Sequence, residues 1–309
     1  MIMTAAWCIL AAFAAADQPF LETALIFDPE QDDRGHVHAS CIVACPNGDL
    51  RVVWYENGPA LPPPYFDKEK DKSADVRIAG SRKPAGADAW ESPFVMVDTF
   101  GVSDNNPCMV VDNEDRLWLF HAILLGVPES SWGSALLQYR IASDYARPGP
   151  PRWDRESALV VHLAEFEDPA EAEHADPQLR KGLNLMRGWL KDPFKRRLGW
   201  MPRAHPLIQA DGALLLPLAN ENFTIAAMAF TRDAGETWTF SRAVPGLGLE
   251  QPSVVEFPDG AMTAFFRNDR PQKRIVRSDS TDGGVTWGEA TLTALRGTVE
   301  IDTSEGFGT

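Results

Sequence analysis

Apolar residues occur along this chain in short runs that face one another across turns of Asp, Asn, Gly and Pro. Four such hairpins are legible. Residues 38–44 and 50–55 flank Pro46-Asn47-Gly48-Asp49, and 107–111 and 117–121 flank Asp112-Asn113-Glu114-Asp115. Residues 206–209 and 213–218 flank Asp211-Gly212, and 252–257 and 261–266 flank Pro258-Asp259-Gly260. Short apolar runs bounded by turn residues predict antiparallel strands, so each hairpin forms the first half of a repeating unit. A third strand follows in each: 76–81 leads to Trp90 in the first unit and 135–142 to Trp153 in the second. Only residues 164–199 break the plan, acidic in their first part and basic in their second, with Leu183, Leu185, Met186, Trp189 and Leu190 near helical spacing. This pattern predicts a solvated helical insertion between the second and third units.

The third and fourth units end in two copies of one pattern, Thr231-x-Asp233-x-Gly235-x-Thr237-Trp238 and Ser280-x-Asp282-x-Gly284-x-Thr286-Trp287, forty-nine residues apart. Each element fits a tight turn: the carboxylate accepts backbone N–H groups, the Gly takes a positive φ, and the Trp packs beneath its neighbour. A repeat of this length marks the blades of a β-propeller. The fold class is therefore all-β, with about four blades recognisable. Ten Trp and 24 Pro suit many short strands joined by turns, and 309 residues suffice for one large domain.

A formal net charge of −15 argues against nucleic acid as a partner, because phosphate binding needs a basic stripe. Residues 5–16 form an apolar run too short to span a bilayer, and Ala14-x-Ala16 precedes Asp17 as a cleavage site would. The expectation is a signal peptide over 1–16, a mature domain over 17–309, and a secreted or periplasmic protein without a membrane span. Cys41 and Cys45 lie about 13 Å apart along one strand, too far to bridge, which leaves Cys41 or Cys45 with Cys108 as the open pairing. The scattered His residues fit no zinc spacing, so neither a metal nor a cofactor is expected.

The stretch from His36-Val37-His38-Ala39-Ser40 to Asp49-Leu50, the run Gln251-Pro252-Ser253 to Asp259-Gly260, and the two repeated turns resemble the sialidase-like family with BNR, or Asp-box, repeats, over residues 34–290. The resemblance implies a six-bladed propeller whose active members cleave terminal, acidic sugars from glycans. After Trp287 the chain runs only to Thr309, which leads us to expect either an incomplete chain or closure with four blades. The resemblance also implies three arginines on the substrate carboxylate, an Asp acid/base, and a Tyr nucleophile activated by a Glu, an exception to the two-carboxylate scheme.

Carried onto this chain, His38 stands in place of the first arginine and would hold an anion only when protonated. Asp71 falls at the Asp position, with Asp67 and Asp75 as competitors on the same loop. Arg267 resembles the second arginine, with Arg274 nearby and an ion pair to Asp269 as the other use of Arg267. Gln251 occupies the place of the activating Glu and cannot act as a base, while strand alternation would turn Glu250 to the other face. None of Tyr55, Tyr65, Tyr139 and Tyr145 matches the nucleophile. Arg203-x-His205 opens the third blade, and with Asn220 and Glu221 is expected to line a central pocket shared with His38, Asp71, Gln251 and Arg267. The reading is a sialidase-like exo-glycosidase with a glycan partner, or else a propeller that binds glycans or proteins without turnover, or a truncated, inactive homologue.

Overall fold

The computed structural model describes residues 23–28, 30–32, 34–63, 71–126, 130–168, 173, 175–268 and 274–296. The leader expected over 1–16, Asp67, Asp269 and the chain after 296 lie outside them. Four antiparallel sheets follow one another along the chain. The first comprises β1 (His38–Ala44), β2 (Leu50–Asn57), β3 (Val76–Lys83) and β4 (Phe94–Val97). The second comprises β5 (Ser103–Val111), β6 (Leu117–Gly126), β7 (Ser130–Ala142) and β8 (Arg155–Ala158). The third holds β9 (Trp200–Met201), β10 (Leu207–Ile208), β11 (Leu214–Asn220), β12 (Ile225–Thr231) and β13 (Thr239–Phe240). The fourth is β14 (Glu250–Glu256), β15 (Met262–Arg267), β16 (Arg274–Ser280) and β17 (Thr291–Arg296). Each sheet is a meander in sequence order, apart from β9, which pairs with β11, so the molecule is an all-β propeller-like fold with one sheet per blade.

Burial follows position in the blade. β1, the first strand, alternates exposed and buried residues, with Ala39, Cys41 and Val43 inward. Second strands are covered on both faces, as in β11, where all seven residues from Leu214 to Asn220 are buried. One core joins the first three blades and the insertion through Val53, Trp118, Tyr139, Leu216 and Phe166, and a second joins the third and fourth through Leu215, Met228, Met262 and Phe266.

The strand expected over 206–209 forms as β10, but the third blade has a further inner piece, β9, that the hairpin pattern does not show. Its inner strand is split: Trp200 and Met201 pair with Asn220 and Ala219, Leu207 and Ile208 pair with Leu215 and Leu214, and the chain bows out between them. Pro202 and Pro206 bracket that bow, and neither has an N–H to give to a ladder. The bow carries Arg203 and His205.

Among the described residues the insertion forms four short helices, α1 (Ala164–Glu167), α2 (Pro177–Leu185), α3 (Arg187–Leu190) and α4 (Pro193–Arg197). Asp176 caps α2 by accepting from Gln178 N and Leu179 N, and Asp192 caps α4 by accepting from Phe194 N, each with Pro at the first helical position. Leu183 is buried, whereas Leu185 and Trp189 face outward, so the helical spacing seen in the sequence is divided between two faces.

Both repeated turns form as their composition requires. Asp233 Oδ1 accepts from Thr237 N at 2.9 Å, and Thr231 Oγ1 accepts from Gly235 N at 2.9 Å. Asp282 Oδ1 likewise accepts from Thr286 N at 2.9 Å, and Ser280 Oγ from Gly284 N at 3.0 Å. Gly235 and Gly284 have φ of 76° and 86°. Each turn rests on the preceding blade, Gly235 against the Tyr139 ring and Gly284 against Leu215 and Phe230. They sit past the ends of third strands, opposite the strand ends that build the site.

Candidate functional site

At the other ends of the strands, all four blades contribute to one cavity of about 360 Å³. It is lined by His38, Tyr55, Asp71, Asn106, Trp132, Met201, Arg203, Glu221, Glu250, Gln251 and Arg267. A volume of this size matches small-molecule sites. Of the residues singled out in the sequence, His38, Asp71, Arg203, Gln251 and Arg267 meet here, joined by Glu221.

The others lie elsewhere. His205 sits on the proline-bracketed bow with Nε2 3.6 Å from Cys41 Sγ and is not part of the lining. Arg274 opens β16, exposed and paired in register with Arg296. Asn220 is buried and caps the β11–β12 turn by accepting from Asn222 N and Phe223 N. Asp75 accepts from Asn57 Nδ2 at 3.2 Å and from Ser73 Oγ, away from the cavity. Cys41, Cys45 and Cys108 are all free and buried, so neither pairing left open by the sequence occurs.

Why the strand ends converge is visible in their backbones. β1, β5 and β14 each break register at the same place, between His38 and Cys41, Asn105 and Cys108, and Glu250 and Ser253. Within each break one residue adopts the left-handed region: Ala39 at φ 57°, Asn106 at 50° and Gln251 at 50°. That conformation costs a non-glycine residue roughly 1–2 kcal/mol, and such strain collects where a site needs it. The three bulges lie at equivalent positions around one cavity, and the one in β14 brings consecutive side chains into its lining. Glu250 and Gln251 therefore both line the cavity, which corrects the expectation that Glu250 must face away. Glu250 Oε2 stands 3.8 Å from Arg267 Nε.

Electrostatics divide the lining. Burial lowers the pKa of Arg203, and the nearby Arg267 charge adds to that lowering. His38 is lowered from 6.5 first by burial and then by Arg203 and His36, against the opposing pull of Asp71. It is thus mostly neutral at pH 7, so the positive charge of the lining at that pH rests on the arginines rather than on imidazolium. Its ring contacts His36 and Tyr55, with centroids 5.6 Å from each. Burial and then the Asp71 charge push the Tyr55 phenol up to about 12, with Arg203 and a hydrogen bond with Asn105 opposing. Asn105 Nδ2 donates to the Asp71 carbonyl at 2.8 Å, tying the Asp71 loop to the second blade. Trp132 forms a flat wall, with Lys72 Nζ 5.7 Å from its ring centroid.

A larger cavity of about 500 Å³ lies among the insertion helices. Glu165, Glu167 and Glu173 face Arg180, Arg187 and Arg196 across it. Arg196 bonds Glu167 at 3.0 Å, while Arg180, Arg187 and Lys191 of the same lining are exposed.

Comparison with known proteins places this geometry. Residues 195–299 match the model of the BNR repeat-like domain. A sialidase of Paraclostridium sordellii is 29% identical over 105 residues, covering 32% of this chain and 26% of that protein. Over this third of the chain, the sequence is thus similar to the BNR repeat-like domain and to sialidases. An anhydrosialidase of Macrobdella decora is 30% identical over 80 residues, 25% of this chain and 10% of that protein, so the matched stretches span about a quarter or less of these relatives. Among solved structures, a Dyadobacter fermentans protein of unknown function superposes with a TM-score of 0.62 at 16% identity, covering 87% of this chain and 72% of that one. A Streptococcus pneumoniae sialidase superposes at 0.60 with 10% identity over 88% of this chain and 54% of its own. At such identities the superpositions speak for the fold alone. The chain has both Asp-box turns and two cavity arginines, with His38 and Gln251 at the positions where the resemblance implies Arg and Glu.

Proposed function

We propose that this sialidase-like chain is an exo-glycosidase for terminal acidic sugars, acting outside the cytoplasm if the leader expected over 1–16 is cleaved. The observation that carries the reading is the pairing of Arg203 and Arg267 in a cavity that also holds Asp71, Glu250 and Glu221. Two guanidinium groups that oppose each other's charge in a half-buried site gain from an anion between them, and a planar carboxylate suits their fork geometry. Trp132 supplies an apolar face for a pyranose ring.

In this scheme Asp71 donates its proton to the glycosidic oxygen as the anomeric C–O bond breaks. Water attacks the anomeric carbon, and Glu250 takes the proton that water gives up. Tyr55, held as a phenol by burial, shapes the wall and orients the sugar. Asp71→Asn should lower turnover of aryl glycosides of acidic sugars by on the order of 10³-fold while sparing affinity. If the variant hydrolyses an aryl-sialoside and aryl-glucuronide panel as fast as wild type, the assignment of Asp71 is wrong.

A second reading, a propeller that binds acidic glycans without turnover, draws support from His38, Gln251 and the raised Tyr55 pKa. Glycan-array binding with no aglycone release on that panel would favour it.

A further inference from the structure

Three large apolar side chains of the insertion stand in solvent: Leu185 at the end of α2 is 80% exposed, Trp189 in α3 is 49% and Phe194 in α4 is 72%. Leu185 and Trp189 are four residues apart, and Lys195 Nζ lies 5.3 Å from the Trp189 ring centroid, which brings α3 and α4 together into one patch. Between residues 177 and 197 the chain has seven Lys or Arg and one acid, Asp192, in a protein whose net charge is −15. Arg196 and Arg197 are engaged by Glu167, while Arg180, Lys181, Arg187 and Lys191 are exposed. A cluster of Leu, Trp and Phe ringed by Lys and Arg on short helices is the composition of an interfacial membrane-binding surface.

We propose that residues 181–195 dock this protein onto an anionic lipid bilayer. Charge decides where contact is made: the chain as a whole is acidic, and among the described residues this patch combines exposed basic with exposed apolar side chains. The apolar tips decide between lipid and an acidic polysaccharide, since Leu185 and Phe194 gain by entering acyl chains and have nothing to gain from sugar hydroxyls. Among the described residues no helix is long and apolar enough to cross a membrane, so the contact is peripheral. It also fixes an orientation. Trp189 meets Phe223 edge-on at 6.4 Å, and Glu221, two residues earlier on the same turn, lines the cavity and bonds Gly199 O through its N–H at 2.8 Å. A docked molecule therefore holds the cavity mouth near the lipid surface, whether or not the cavity turns over substrate.

Sedimentation of the full chain with vesicles of roughly one-third phosphatidylglycerol in phosphatidylcholine tests the proposal. Binding should exceed that to pure phosphatidylcholine by at least about tenfold, fall with added salt, and drop about tenfold in Leu185→Ser/Phe194→Ser. Those side chains are outside both cores, so the variant should keep the wild-type thermal transition; Lys181→Glu/Lys191→Glu tests the charges independently. Equal binding to both vesicle types, no loss in either variant, or binding to an acidic polysaccharide without binding to vesicles would overturn it.

Discussion

At the level of single residues, the cavity was partly legible because arginines in an acidic chain and Asp71 near a strand start stand out by type and place. Glu250 and Tyr55 were not. Strand alternation assigns one side chain per face, and a bulge with a left-handed residue breaks that rule without an unusual composition. A trace existed in Asn106-Pro107 and Gln251-Pro252, where a proline follows the left-handed residue, but Ala39-Ser40 lacks it. The arrangement of His38 makes a pH prediction. Its folded pKa lies below the unfolded 6.5, so the folded state binds fewer protons than the unfolded one in the window just beneath 6.5. Its contribution is flat above that value and turns destabilising as pH falls through the window. Urea unfolding at about pH 7 and about pH 5 should show wild type losing more stability than His38→Gln. Equal losses would mean that the lowering is not realised in the molecule.

Among the elements, the hairpins and the repeated turns were the most legible, since turn residues act locally and their bonds formed as the sequence required. The β9 half of the third blade's inner strand was not, because Trp200 and Met201 pair with Asn220 and Ala219 across the intervening β10–β11 hairpin. The turns allow a sharp comparison. Gly260 has φ 81° with open space around a would-be Cβ, so Gly260→Ala should cost only the left-handed strain, about 1 kcal/mol. Gly235, at φ 76°, would place a Cβ 3.0 Å from Tyr139 Cε2 and its hydroxyl oxygen, between neighbouring blades. Gly235→Ala should therefore cost roughly 2–4 kcal/mol, strain and overpacking together. Chemical denaturation of the two variants measures the difference, and equal effects would contradict the turn's role as a contact between blades.

For the whole molecule, the insertion proves to be more than a solvated appendage. Phe166 of α1 is buried against Phe223 at 4.7 Å and Trp200 at 6.2 Å, inside the core shared by three blades. Phe166→Ala should destabilise the fold by about 3–4 kcal/mol in urea unfolding, with loss spread over one transition rather than confined to the helices. Blade repetition was readable from the forty-nine-residue spacing, whereas the site needs four strand ends far apart in sequence, which only the assembled propeller brings together. The central claim is that this convergence makes a site for an acidic sugar. Titration calorimetry of N-acetylneuraminate, glucuronate and galactose into wild type and Arg267→Ala tests it most directly. We expect the acidic sugars to bind and galactose not to, with affinity for the acids falling at least about tenfold in the variant. Equal binding of acidic and neutral sugars, or no change in Arg267→Ala, would contradict it.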